Sequence, residues 1–188
     1  MRKVEREQKR LEATAYREAG HAVMAHTLGV PMHGASIVPK GGSLGHVRFK
    51  KPGRLILEEM SGEVTPRAQD GIERNIQVAY AGRLTEKMYS GRDNRAGGWS
   101  DYGEMADLAL CACSSPGEAR AFLKWLELRA AAHLGTRRFK VAVEAVAREL
   151  LARKTLTGRE INKTIIDGIQ DAAGAAYGDY GGNMLSWE

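Results

Sequence analysis

Arginine, glutamate and histidine at positions 17, 18 and 21 form the most chemically pointed group in the chain, within Tyr16-Arg17-Glu18-Ala19-Gly20-His21. Residues four apart share a helical face, so Arg17 and His21 would stand together with Glu18 at the edge of that face. Two histidines in this relation bind Zn²⁺, and the glutamate after the first activates water, the arrangement written H-E-x-x-H. Here Arg17 occupies the first histidine position. A guanidinium is permanently protonated and has no lone pair to offer, so Arg17 cannot be a ligand. Glu18 remains a candidate general base and His21 a candidate ligand, short of the three protein ligands that catalytic zinc needs.

Other donors are sparse. His26 lies nine positions from Arg17, about 180° around a helix, and so faces away from the group. His33, in the turn before a first strand, and His46, on a second strand, read either as metal donors or as ordinary polar residues. His133 reads as a helix-end residue, favourable near the C-terminal dipole. Cys111 and Cys113, the only cysteines, are spaced by two on a predicted helix and point apart. That spacing suits neither a mutual disulfide nor a C-x-x-C half-site, and reads as reduced core thiols.

The elements that must position these residues follow from periodicity. The run from Val4 to Leu28 lacks proline and places Leu11, Ala15, Ala22 and Ala25 near helical spacing, with Gly29-Val30-Pro31 as its stop. Ala35 to Val38 and Leu44 to Phe49 read as a strand pair, antiparallel and beside the motif helix. A second helix begins near Pro66, with Ile72, Ile76, Tyr80, Leu84 and Met88 on a four-residue spacing. After a loop from Gly91 to Gly98, Ser100 reads as an N-cap with Asp101 and Glu104 as first-turn acids. Two amphipathic helices follow, one carrying Ala119, Phe122, Leu126, Ala130 and His133, the other Phe139, Val143, Val146 and Leu150. Thr157 and Glu160 form the capping box of a last helix.

The chain has 188 residues, 43% hydrophobic and 27% charged, which suits one globular domain. Residues 1–10 read as a charged extension of the first helix, 11–172 as the domain and 173–188 as a Gly/Tyr-rich flexible tail. The fold class is mainly α with a small β-element (α+β). No apolar run suits a membrane span or a signal peptide, so the expected setting is soluble and cytoplasmic. Net charge is +5, but the basic residues are dispersed except in Arg48-Phe49-Lys50-Lys51-Pro52-Gly53-Arg54. That cluster reads as a solvated loop rather than a nucleic-acid site. No G-x-x-x-x-G-K-[ST] run is present, so an ATPase, if one acts with this chain, is expected as a separate partner.

Several segments in order resemble the FtsH-type zinc metallopeptidase domain, found in ATP-dependent membrane proteases. Thr14-Ala15-Tyr16-Arg17-Glu18-Ala19-Gly20-His21-Ala22-Val23 is similar to its A-Y-H-E-A-G-H-A helix, and Ile37-Val38-Pro39 with Ser43-Leu44-Gly45 to its strand pair. Ala81-Gly82-Arg83-Leu84-Thr85-Glu86 resembles its G-G-R-x-x-E helix. Gly98-Trp99-Ser100-Asp101-Tyr102 is similar to its G-A-S-N-D segment, and Leu151 to Gly158 to the turn between its last helices. The resemblance implies zinc as cofactor, Glu18 as general base, and His21 and Asp101 as two of three metal ligands. It further implies a polypeptide substrate or protein partner laid along the edge strand at Leu44, Gly45, His46 and Val47, and a ring-forming homo-oligomer.

Arg17 is the departure from this pattern, which is therefore read as a stand-alone domain with a degenerate motif. Loss of an outer-shell partner alone costs a zinc site about 10–100-fold in affinity, so hydrolysis is expected to be impaired or absent. Without zinc, Glu18 and Asp101 would face each other as like charges, and the Arg17 fork would neutralise one or both. The alternative function is then a pseudo-peptidase, a binding or regulatory module holding peptides or proteins in the old cleft.

Overall fold

The computed structural model describes residues 3–39, 44–49, 65–92 and 99–178. Helix α1 (Lys3–Leu28) is followed by β1 (Met32–Ser36) and β2 (His46–Phe49), then α2 (Pro66–Ser90), α3 (Trp99–Ala112), α4 (Pro116–Gly135), α5 (Arg137–Arg153), β3 (Thr155–Thr157) and α6 (Gly158–Gly178). The fold is mainly α with a small antiparallel sheet, as its patterning predicts.

Helix ends are set by local chemistry. α1 stops in a Schellman arrangement: Gly29 has φ +69°, its N–H donates to His26 O at 3.3 Å, and Val30 N–H donates to Ala25 O at 2.8 Å. Thr65 caps α2 by accepting from Ala68 N–H, with Pro66 in the first turn, where no N–H is missed. Ser115 and Thr136 cap α4 and α5 in the same way. The predicted capping box of the last helix is present, Thr157 N–H donating to Glu160 Oε2 at 2.7 Å and Glu160 N–H to Thr157 Oγ1 at 3.3 Å. α3 begins at Trp99, so Ser100 lies inside the helix instead of capping it.

Among the described residues the sheet has the order β2-β1-β3, with β2 at one edge. The first strand lies three residues upstream of its predicted start and takes in His33, which was expected in the preceding turn. The third strand, read from sequence as a turn, explains the shift. Gly34, Ala35 and Ser36 pair with Thr157, Leu156 and Thr155 on one side while pairing with Arg48, Val47 and His46 on the other. Gly34 is required there, since a β-carbon would overlap the carbonyl of Leu156.

α1 is the central element. Its middle buries Ala15, Ala19, Ala22, Val23, Met24 and Ala25, packed against α2 on one side and α5 on the other. Residues 3–10 of the same helix are exposed throughout. Of the four-residue series in α2, Ile72, Ile76 and Tyr80 are buried, but Met88 is exposed near the helix end. Cys111 is exposed and Cys113 half-buried, both free, so neither is a core thiol as expected; burial pushes the Cys113 thiol up from its usual range. α6 continues to Gly178, beyond the point where apolar periodicity lapses, and residues 179–188 lie outside the described residues. The basic cluster falls outside them from Lys50 onward.

Candidate functional site

The site is built on the antiparallel packing of α1 against α2. At one end of the pair Arg74 Nη1 donates to Leu28 O at 2.9 Å. In the middle His21 Nδ1 meets Val78 O at 2.8 Å, and toward the other end Arg17 Nη1 donates to Glu86 Oε2 at 3.3 Å. Val78, Gly82 and Glu86 are four apart on α2, matching Arg17 and His21 four apart on α1, so two helical rows face each other. Beyond Arg17, Tyr16 stacks on Tyr89 with ring centroids 4.0 Å apart. The Tyr89 hydroxyl donates to Glu12 Oε2 at 2.5 Å, which pushes the phenol up to about 12 and holds the carboxyl below its ordinary value.

Two glycines make this approach possible. A β-carbon on Gly20 would lie 2.5 Å from Thr85 Oγ1 and 2.8 Å from Ala81 O. One on Gly82 would overlap the imidazole of His21, whose Nε2 edge rests on that backbone. The contact with a carbonyl assigns the proton to Nδ1, because a carbonyl oxygen can only accept. His21 is therefore wedged between the helices, 8% exposed.

Arg17, Glu18 and His21 open onto a cleft of about 310 Å³, whose opposite wall includes Gly45, His46 and Val47. Glu18 is buried, and Gly45 comes so close that a β-carbon there would lie 2.9 Å from Glu18 Cγ. Of the expected substrate-strand residues, His46 and Val47 are in β2, whereas Leu44 and Gly45 precede it as a bend and an irregular residue. Glu104 and Met105 of α3 also line the cleft. Asp101 lies in the first turn of the same helix, and its side chain lies outside the described residues. His26 and His133 line a different cavity, as the half-turn offset of His26 requires.

Sequence reasoning set the Arg17 guanidinium against Glu18 and Asp101, and did not foresee its ion pair with Glu86. The only signal was the carboxylate ending Gly82-Arg83-Leu84-Thr85-Glu86, four residues beyond the glycine that seats His21. Both partners are about one-tenth exposed, so the pair is largely shielded from water. Glu104 was read as a helix-end acid and not as a cleft residue.

The described residues do not fit a three-ligand zinc site. Arg17 fills one ligand position with a cation, and His21 uses Nδ1 on a carbonyl and packs its Nε2 edge on Gly82. No three His, Cys, Asp or Glu side chains among the described residues converge as a metal set. What the cleft offers is a buried carboxylate, an imidazole, an arginine held by Glu86 and a strand that, among the described residues, pairs only with β1.

No family model matches the chain. Among curated proteins it is similar to ATP-dependent zinc metalloprotease FtsH 3 of Symbiobacterium thermophilum, 30% identical over 188 aligned positions that cover 82% of this chain and 29% of that protein. It is also similar to ATP-dependent zinc metalloprotease FTSH 9, chloroplastic/mitochondrial, of Oryza sativa, 28% identical over 81% of this chain and 21% of that protein. To ATP-dependent zinc metalloprotease FtsH of Haemophilus influenzae it is 35% identical over 50% of this chain and 14% of that protein. The chain thus spans between 14% and 29% of these relatives' lengths. They support the resemblance read from the motifs.

Proposed function

We propose that this chain is an FtsH-type metallopeptidase-like domain in which Arg17 impairs zinc-dependent peptide hydrolysis. The observation that carries the reading is that Arg17, which lines the cleft, is held in a shielded ion pair with Glu86 of α2. It places a fixed positive charge where a ligand lone pair is needed, and it gives that charge a partner without any metal. Zinc, when bound in this family, supplies a polarised water and a Lewis acid. Here Glu18 would keep its place beside the substrate strand, while Arg17 would neutralise negative charge in the cleft without activating water.

A second reading is favoured by the strand edge. Among the described residues β2 pairs only with β1, and His46, Val47 and Phe49 line the cleft. An extended polypeptide could add there as a further strand, held by backbone hydrogen bonds and by side chains entering the cleft, as in a pseudo-peptidase binding module. A separate ATPase and a homo-oligomeric ring belong to the proposal as expected partners.

Metal analysis together with peptide hydrolysis separates these readings. The native chain is expected to carry no stoichiometric zinc and to hydrolyse peptides slowly or not at all. Arg17→His is expected to gain one zinc, because it restores the first histidine of H-E-x-x-H one helical turn from His21. Stoichiometric zinc in the native chain, with hydrolysis abolished by Glu18→Gln, would overturn the impairment. Peptide binding without hydrolysis, lost on placing proline at Val47, would select the binding module.

A further inference from the structure

On the far side of α1 from Arg17, a second cavity of about 310 Å³ lies where the end of α1, the junction of α4 and α5, and α6 meet. Its floor is apolar, formed by Val23, Phe139, Ile165 and Ile169. Its rim carries His26, His133 and Arg138, and no acid lines it among the described residues. Arg138 is exposed and has no hydrogen-bond or ion-pair partner among the described residues, and the same holds for the His133 ring. His26 turns Nδ1 toward Asn162 Oδ1 at 2.9 Å, which leaves Nε2 as its second polar atom. The C-terminus of α4 and the N-terminus of α5 both adjoin Thr136, so their end charges oppose one another and the side chains decide the electrostatics.

We propose that this cavity is a binding site for a small organic carboxylate with an apolar body, the chain resting on Val23, Phe139, Ile165 and Ile169 and the head group meeting Arg138 and His133. An apolar floor with few convergent polar groups is what small-ligand pockets present, and the volume is at the small end of their usual range of roughly 300–1,000 Å³. A guanidinium with no counter-ion among the described residues selects a carboxylate over a neutral or cationic head, because its planar fork matches two carboxylate oxygens. The site is independent of the cleft on the other face of α1 and does not depend on what that cleft does.

Calorimetric titration of the full chain with octanoate, octan-1-ol and octylammonium tests this, with NMR shifts of the floor methyl groups reporting location. Octanoate is expected to bind saturably at one site and to move the signals of Val23, Ile165 and Ile169. Binding is expected to be at least about fivefold weaker for octan-1-ol and for Arg138→Gln, the size of a partly exposed charge contact. Arg138 is exposed, so its replacement leaves the core intact. Absence of saturable octanoate binding, equal binding of octylammonium, no effect of Arg138→Gln, or shifts confined to another region would each overturn the proposal.

Discussion

At the scale of single residues, Arg17 and Glu86 set the strongest expectation for stability. Each side chain is about one-tenth exposed, so removing one charge takes a counter-ion from the other in a place water barely reaches. Arg17→Met is expected to destabilise the fold by roughly 3 kcal/mol in chemical denaturation, the usual cost of breaking a buried pair. The double replacement Arg17→Met with Glu86→Leu is expected to lose less than the sum of the two single changes, since the two charges interact directly; additivity would deny the coupling. Gly82→Ala tests the seat of His21. With no space for a β-carbon against the imidazole, the ring must leave Val78 O or the helices must part, and a loss of at least about 2 kcal/mol is expected. Unchanged stability would mean that the ring is not held there. Arg17, Glu18 and His21 were legible in the sequence as one group because helical spacing puts them on one face. Glu86 was not, because it lies 69 residues away and only the antiparallel register of α1 and α2 brings it to Arg17.

At the scale of elements, caps were easier to read than strands. The Thr157–Glu160 box is local chemistry over four residues and stands as its spacing predicts. β3, only three residues long, has no pattern of its own and exists because β1 offers it an edge. The capping box carries a pH dependence. Hydrogen bonds from the Thr157 backbone and hydroxyl, then from Arg153, hold the Glu160 carboxyl down at about 2. A carboxyl lowered on folding adds stability that is fully present above its unfolded value, near 4.5, and is lost as pH falls toward 2. Glu160→Gln is therefore expected to flatten the stability profile between pH 4.5 and 2 while leaving its shape above pH 5 unchanged; an unaltered acid limb would remove Glu160 as its source. Lys154 closes α5 with φ +67° in the left-handed region, where only glycine is unstrained. Lys154→Gly is expected to raise stability by about 0.5–1 kcal/mol, offset in part by loss of the ammonium contact with Leu151 O.

At the scale of the whole molecule, α1 is the element on which the rest is assembled. Its alanines let α2 and α5 approach from two sides, and the sheet and the start of α6 close over it. Mainly α architecture was legible because long periodic segments declare themselves. The central place of α1 was not, because an alanine-rich face carries little hydrophobic contrast and its burial depends on partners distant in sequence. No helix among the described residues is long and apolar enough to cross a membrane, and the apolar residues in the middle of α1 are buried within the fold. An element clasped on several sides cannot open without dismantling its neighbours. Native-state hydrogen exchange should therefore show the amides from Thr14 to Ala25 opening only by global unfolding, with the free energy and denaturant slope of the whole transition. The amides of residues 5–10, on the exposed first turns, should exchange with free energies several kcal/mol lower and almost no denaturant dependence. Exchange of the Thr14–Ala25 amides through a smaller opening, with a slope well below the global one, would move the structural centre to α5 and α6, whose Leu150, Ile161 and Ile165 are fully buried in the same core.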